Sequence, residues 1–113
     1  MKGEDAVKLI ESISDRVMLR KKDNTDKFWC YKLTSGRKTE FAFDPRTKTG
    51  LFVRVDLEPP NIRGVTGIES ITGKDVSTAL GRVFSGGLHK ARYKAEIEDS
   101  DALLGFIEYY ESL

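Results

Sequence analysis

The sequence predicts one α+β domain of order α-β-β-β-β-α-β-α, a mainly antiparallel meander sheet packed by helices. Three observations carry that expectation. The chain has 113 residues, enough for a single domain over 1–113 and too few for two ordinary ones. Apolar residues recur with a helical period in some stretches and alternate with a period of two in others. Turn-forming residues separate the alternating stretches at short intervals, as antiparallel hairpins require and parallel crossovers do not.

Over residues 4–14, Ala6, Val7, Ile10 and Ile13 form an apolar stripe with Leu9 beside it, which predicts a short amphipathic helix. Val17 and Leu19 then alternate with Arg16, Met18 and Arg20 in a first strand. The Asp23-Asn24-Thr25-Asp26 cluster is a turn, because such side chains bond their own backbone. Trp29, Tyr31 and Leu33 mark a second strand, and Thr34-Ser35-Gly36-Arg37 a hairpin turn. Phe41 and Phe43 carry a third strand until Asp44-Pro45, where proline removes a ladder donor. A basic loop from Arg46 to Gly50 leads to the clearest strand, Leu51, Val53, Val55 and Leu57.

Glu58-Pro59-Pro60-Asn61 leaves the sheet, since two prolines favour extended, unpaired backbone. Residues 62–71 hold two glycines and read as a loop with a short strand. Thr72-Gly73-Lys74-Asp75 resembles a helix-start box. Val76, Ala79, Leu80, Val83 and Phe84 continue it as a helix that Ser85-Gly86-Gly87 ends. Ala91, Tyr93, Ala95 and Ile97 give a fifth strand. Asp99 or Ser100 caps a last helix bearing Leu103, Leu104, Phe106, Ile107 and Tyr110.

A 39% hydrophobic content supports one core, and 33% charged residues point to a well-solvated surface. No apolar run approaches the roughly 20 residues that cross a bilayer, so no membrane partner is expected. The first residues turn amphipathic rather than apolar, unlike a secretion signal. Cys30 is the sole cysteine and cannot form an internal disulfide, so a cytoplasmic setting is the expectation.

Recognised chemical motifs fail on spacing. Gly67 to Asp75 superficially resembles a phosphate loop, but five residues separate its glycines and Asp75 stands where a hydroxyl residue should hold magnesium. The element order is shared with metal-dependent nucleases, making Asp44, Asp56 and Glu58 the residues of an alternative hydrolase reading. That chemistry needs a lysine two positions after the second carboxylate, and Glu58 and Pro60 occupy the relevant positions. His89, the only histidine, falls in an expected exposed turn, and Cys30 reads as a small, partly buried filler. Neither a cofactor nor a metal site is predicted, and the balance leans away from an enzyme.

Charge segregation is the informative feature. Arg16 to Arg54 contains 11 Lys/Arg against 4 Asp/Glu, whereas Ala95 to Leu113 contains 6 acidic residues and no Lys or Arg. If Val17, Leu19, Trp29, Tyr31, Leu33, Phe41, Phe43, Val53 and Val55 face the helices, alternation puts a basic set on the opposite face. Arg20, Lys22, Phe28, Lys32, Lys38, Phe52 and Arg54 are its expected binding residues. Cations interleaved with aromatic rings suit phosphates and stacked bases, so the leading expectation is a non-enzymatic binding module for an acidic partner, nucleic acid or protein. A structural homodimer, in which the acidic C-terminal segment meets the basic face of a second copy, is the further alternative.

Overall fold

In the computed structural model, which describes residues 1–23, 27–71 and 78–113, the predicted order of elements is present and one strand is added to it. Helix α1 (Gly3–Ser12) leads into β1 (Val17–Lys22), β2 (Trp29–Leu33), β3 (Glu40–Phe43) and β4 (Leu51–Val55). The added strand is β5 (Val65–Ser70), followed by α2 (Thr78–Val83), a 3-10 turn at Gly87–Lys90, β6 (Tyr93–Ile97) and α3 (Ser100–Glu111). The helix-start box Thr72–Asp75, Val76 and most of the 23–26 turn lie outside the described residues.

All six strands form one antiparallel sheet in the order β1-β2-β3-β4-β6-β5. The first four make the expected meander, and β6 enters between β4 and β5. Strand β5 is the short strand expected within residues 62–71 but left out of the predicted order. It lacks a clean period of two because its register against β6 slips between Thr66 and Glu69, around Gly67 at φ 60°. The Cα radius of gyration, 12.5 Å, matches the roughly 13 Å of a single folded domain of this size. Among the described residues no helix is long and apolar enough to cross a membrane.

Helices α1 and α3 cover one sheet face. Val17, Tyr31, Leu33, Phe41, Phe43, Val53 and Val55 lie buried there against Ile10, Leu103, Phe106 and Ile107, as alternation predicts. Trp29, by contrast, is half-buried, and Leu19, expected on this face, is exposed at the sheet edge. Phe106 meets Phe41 edge-on at 5.5 Å and Tyr110 at 4.9 Å. Asp99 caps α3 by accepting from the Ala102 N–H at 2.9 Å. The two prolines are buried, and the adjoining Leu57 carbonyl accepts from the Tyr110 hydroxyl at 2.6 Å.

The hairpin turn also docks on α3. Gly36 sits at φ 62°, and a Cβ there would lie 2.8 Å from the carbonyl oxygens of Glu111 and Leu113. Gly36→Ala therefore combines an unfavourable left-handed backbone with a clash against main chain that cannot swing aside. Chemical denaturation should show a loss of about 2 kcal/mol or more. A loss below ~0.5 kcal/mol would mean that the turn is not held against α3 in solution.

Helix α2 lies on the other sheet face. Ala79, Leu80, Val83 and Phe84 form a second, smaller core with Phe28, Cys30, Ala42 and Ala91. The protein is thus a three-layer arrangement, helices on both faces of an antiparallel sheet. The sequence showed that this helix had an apolar stripe, but not which sheet face it would cover.

Candidate functional site

The covering by α2 divides the predicted basic face. Its centre is closed: Phe28 is 8% exposed, and Cys30 and Ala42 are fully buried. Burial and the neighbouring Glu40 carboxylate raise the Cys30 thiol pKa, so the thiolate is disfavoured. A thiol reagent should modify Cys30 only as fast as the protein opens. Rapid stoichiometric modification of the native protein would contradict this burial.

Glu40, which alternation places on the same face as Lys32 and Arg54, is buried at the rim of this second core. Its Oε1 accepts from the Ser85 N–H at 2.9 Å, and its Oε2 accepts from the Ser85 hydroxyl. Arg20 Nε stands 3.5 Å from Oε1, while Arg20 Nη1 donates to the Val83 carbonyl at the end of α2. Burial alone would raise the Glu40 pKa. The two Ser85 hydrogen bonds and the charges of Arg20 and Lys90 outweigh it and hold the carboxyl below its ordinary value. Glu40 and Arg20 therefore fasten α2 to the sheet.

Lys22 is displaced from the predicted face. Strand β1 bulges between Leu19 and Lys21, so Lys21 pairs with Cys30 and Lys22 with Trp29. One extra residue reverses the alternation beyond it. Lys22 Nζ consequently lies 5.7 Å from the Trp29 ring centroid on the α1 side.

The other six residues fall into two groups. Arg20, Lys32 and Lys38 line a groove of about 380 Å³ with Met18, Leu19, Leu33 and Thr34. Phe28, Phe52 and Arg54 line a smaller pocket of about 200 Å³ with Asp44, Thr47 and Gly50. Lys32 reaches the first group by cross-strand register, since it stands between Met18 and Glu40. Lys38 reaches it from the turn before β3, at φ 55°.

The first group borders an open sheet edge. Strand β1 pairs only with β2, and from Met18 onward all its residues are exposed. Met18 is 58% and Leu19 47% exposed, and both also line a second groove of about 300 Å³ on the α1 side. The Arg16 carbonyl accepts from the Thr34 N–H, which makes residues 16 and 34 a hydrogen-bonded pair. Antiparallel alternation then turns the main-chain groups of Val17 and Leu19 outward. The Val17 N–H already donates to Ile13, which leaves Leu19 as the outward-facing amide before the bulge.

No family model matches the chain, and no curated protein and no solved structure matches it either.

The acidic residues are dispersed by their partners. Glu111 accepts from Arg16 at 2.6 and 2.9 Å, and Asp99 from Arg63 at 3.1 and 3.2 Å. Part of the acidic C-terminal segment therefore answers basic residues of its own chain. Asp56 receives two hydrogen bonds from Arg37 at 3.0 and 3.2 Å, and Asp44 bonds the N–H and Nε of Arg46. Glu58 is exposed on the Pro-Pro loop, and His89 is exposed in the 3-10 turn. Among the described residues no three His, Cys, Asp or Glu side chains are grouped to hold a metal ion. The carboxylates of the hydrolase alternative thus stand in separate ion pairs or in solvent rather than around one reaction centre.

Proposed function

We propose that this chain is a non-enzymatic interaction module that accepts an extended acidic protein segment along the open edge of β1. The observation that supports the reading best is the juxtaposition, at one unpaired strand, of exposed Met18 and Leu19 with the cations Arg20, Lys21, Lys32 and Lys38. An added strand would take its main-chain bonds from the edge and place alternate side chains in the two flanking grooves. Acidic side chains would meet Lys32 and Lys38, which have no ion-pair partner among the described residues.

Charge selects the occupant. Consecutive Arg20, Lys21 and Lys22 and the bulge are devices that discourage an edge from pairing with another copy of itself. They leave an acidic strand as the complementary one. A single-stranded nucleic acid fits less well, because Phe28 is buried under α2 and Lys94 Nζ occupies one face of Phe52 at 4.9 Å from its centroid. The cytoplasmic setting inferred from composition belongs to the same proposal.

Titration with an extended peptide of alternating Glu and Val, against a scrambled basic peptide and an oligonucleotide, tests the reading. The acidic peptide should bind, with affinity that falls as salt rises. Preferential retention of the oligonucleotide would replace the proposal with nucleic-acid binding. Binding of neither, in a protein that sediments as a dimer, would replace it with self-association.

A further inference from the structure

We infer that the pocket between Phe28, Phe52 and Arg54 binds a small oxyanion, either a free phosphate or the carboxylate or phosphate end of a larger ligand. This inference is independent of the β1 edge and rests on Arg54. That residue sits in the middle of β4, opposite Ala42 on β3 and Lys94 on β6. Its Nε and Nη1 are buried and have no hydrogen-bond partner among the described residues. A guanidinium presents five donors in a rigid fork and remains charged, so enclosing it without an acceptor is strongly unfavourable. Burial accordingly lowers its pKa, and Glu69 is the one carboxylate that counters the effect.

The surroundings increase the need for an anion. Arg54 and Lys94 are like charges directly opposed across the β4–β6 ladder, an arrangement that is unfavourable by itself. Lys94 is partly answered by Glu69 at 3.5 Å. Asp44 stands on the pocket wall, yet its Oδ1 accepts from the Arg46 N–H and Nε. The pocket is therefore a partly apolar recess with Phe52 at its mouth and an unanswered guanidinium on its wall, while the Thr47 hydroxyl already donates to the Gly50 carbonyl at 2.9 Å. Its volume of about 200 Å³ lies below the several hundred of a drug-sized site, which favours a small ion or one end of a ligand.

Thermal shift and nitrogen-detected NMR of the full chain, titrated at constant ionic strength with inorganic phosphate or with acetate, test the inference. A saturable rise in Tm and a shift of the Arg54 Nε–H resonance are expected with at least one anion and not with chloride. Phosphate response alone identifies a tetrahedral oxyanion, and acetate response alone a planar one. Arg54→Met should lose the response while its anion-free Tm stays equal to or above the parent, because an unpaired buried charge has been removed. Arg54→Lys, which keeps charge but not the fork, should weaken binding by about ten-fold. Lys38→Met, at the separate β1 groove, should leave the response intact. The inference is overturned if neither anion moves the Arg54 resonance, or if the thermal response survives Arg54→Met.

Discussion

Glu40→Ala is expected to lower the free energy of unfolding by about 3 kcal/mol, a large share of the roughly 5–15 kcal/mol available to a domain. The substitution removes the acceptor of both Ser85 hydrogen bonds and the charge beside Arg20. It leaves a half-buried guanidinium and the end of α2 without that acceptor. Charge-assisted hydrogen bonds are about twice as strong as neutral ones, so the loss exceeds that of an ordinary polar contact. Tm should fall on the order of 10 °C. Glu40→Gln, which keeps shape and one acceptor oxygen, should lose about half as much. A loss below ~1 kcal/mol for Glu40→Ala would show that this carboxylate does not fasten α2 to the sheet.

The same carboxylate sets an acid limit. Its native pKa lies below the ordinary value, so the folded state binds its proton less readily than the unfolded chain. The resulting stability is fully present above the unfolded carboxylate pKa, about 4.3, and is lost as pH falls through the lower native value. Glu40→Gln removes this contribution, and its stability should decline less steeply over that interval.

Charge reversal at the edge is the second large effect. Lys32→Glu with Lys38→Glu should weaken an acidic peptide by roughly 2 kcal/mol, about thirty-fold, because each change turns attraction into repulsion. Neither side chain has an ion-pair partner among the described residues, but a glutamate at 32 would face the Glu40 carboxylate across the β2–β3 ladder. Lys32→Gln with Lys38→Glu is therefore the control that should fold normally and still weaken peptide binding. Raising the salt should shrink the difference between parent and variant. Equal affinities at low salt would remove this groove from the interface.

The extent to which the sequence disclosed these sites follows from what its patterns encode. Alternation at Trp29, Tyr31 and Leu33 reports side-chain faces directly, and the face bearing Tyr31, Phe41 and Val53 is buried as it implies. A helical stripe such as Ala79, Leu80, Val83 and Phe84 reports that one side of a helix is buried, but not against what. The destination of α2 is fixed by long-range contacts, above all Glu40 to Ser85 across 45 residues. Lys22 changed face because a bulge adds one residue without altering composition. Strand β5 was obscured by the irregular register around Gly67. The basic set was legible as charge, whereas its division into an edge groove and the Arg54 pocket depended on where α2 landed.

Leu19 offers the most direct measurement of the central claim, because its amide is the outward-facing group of the proposed strand addition. Hydrogen exchange at this amide should be followed by NMR with and without a saturating acidic peptide. The peptide should slow exchange at Leu19 selectively and shift its resonance, since a new main-chain acceptor covers it. Saturation binding that leaves Leu19 exchange unchanged would contradict strand addition at β1.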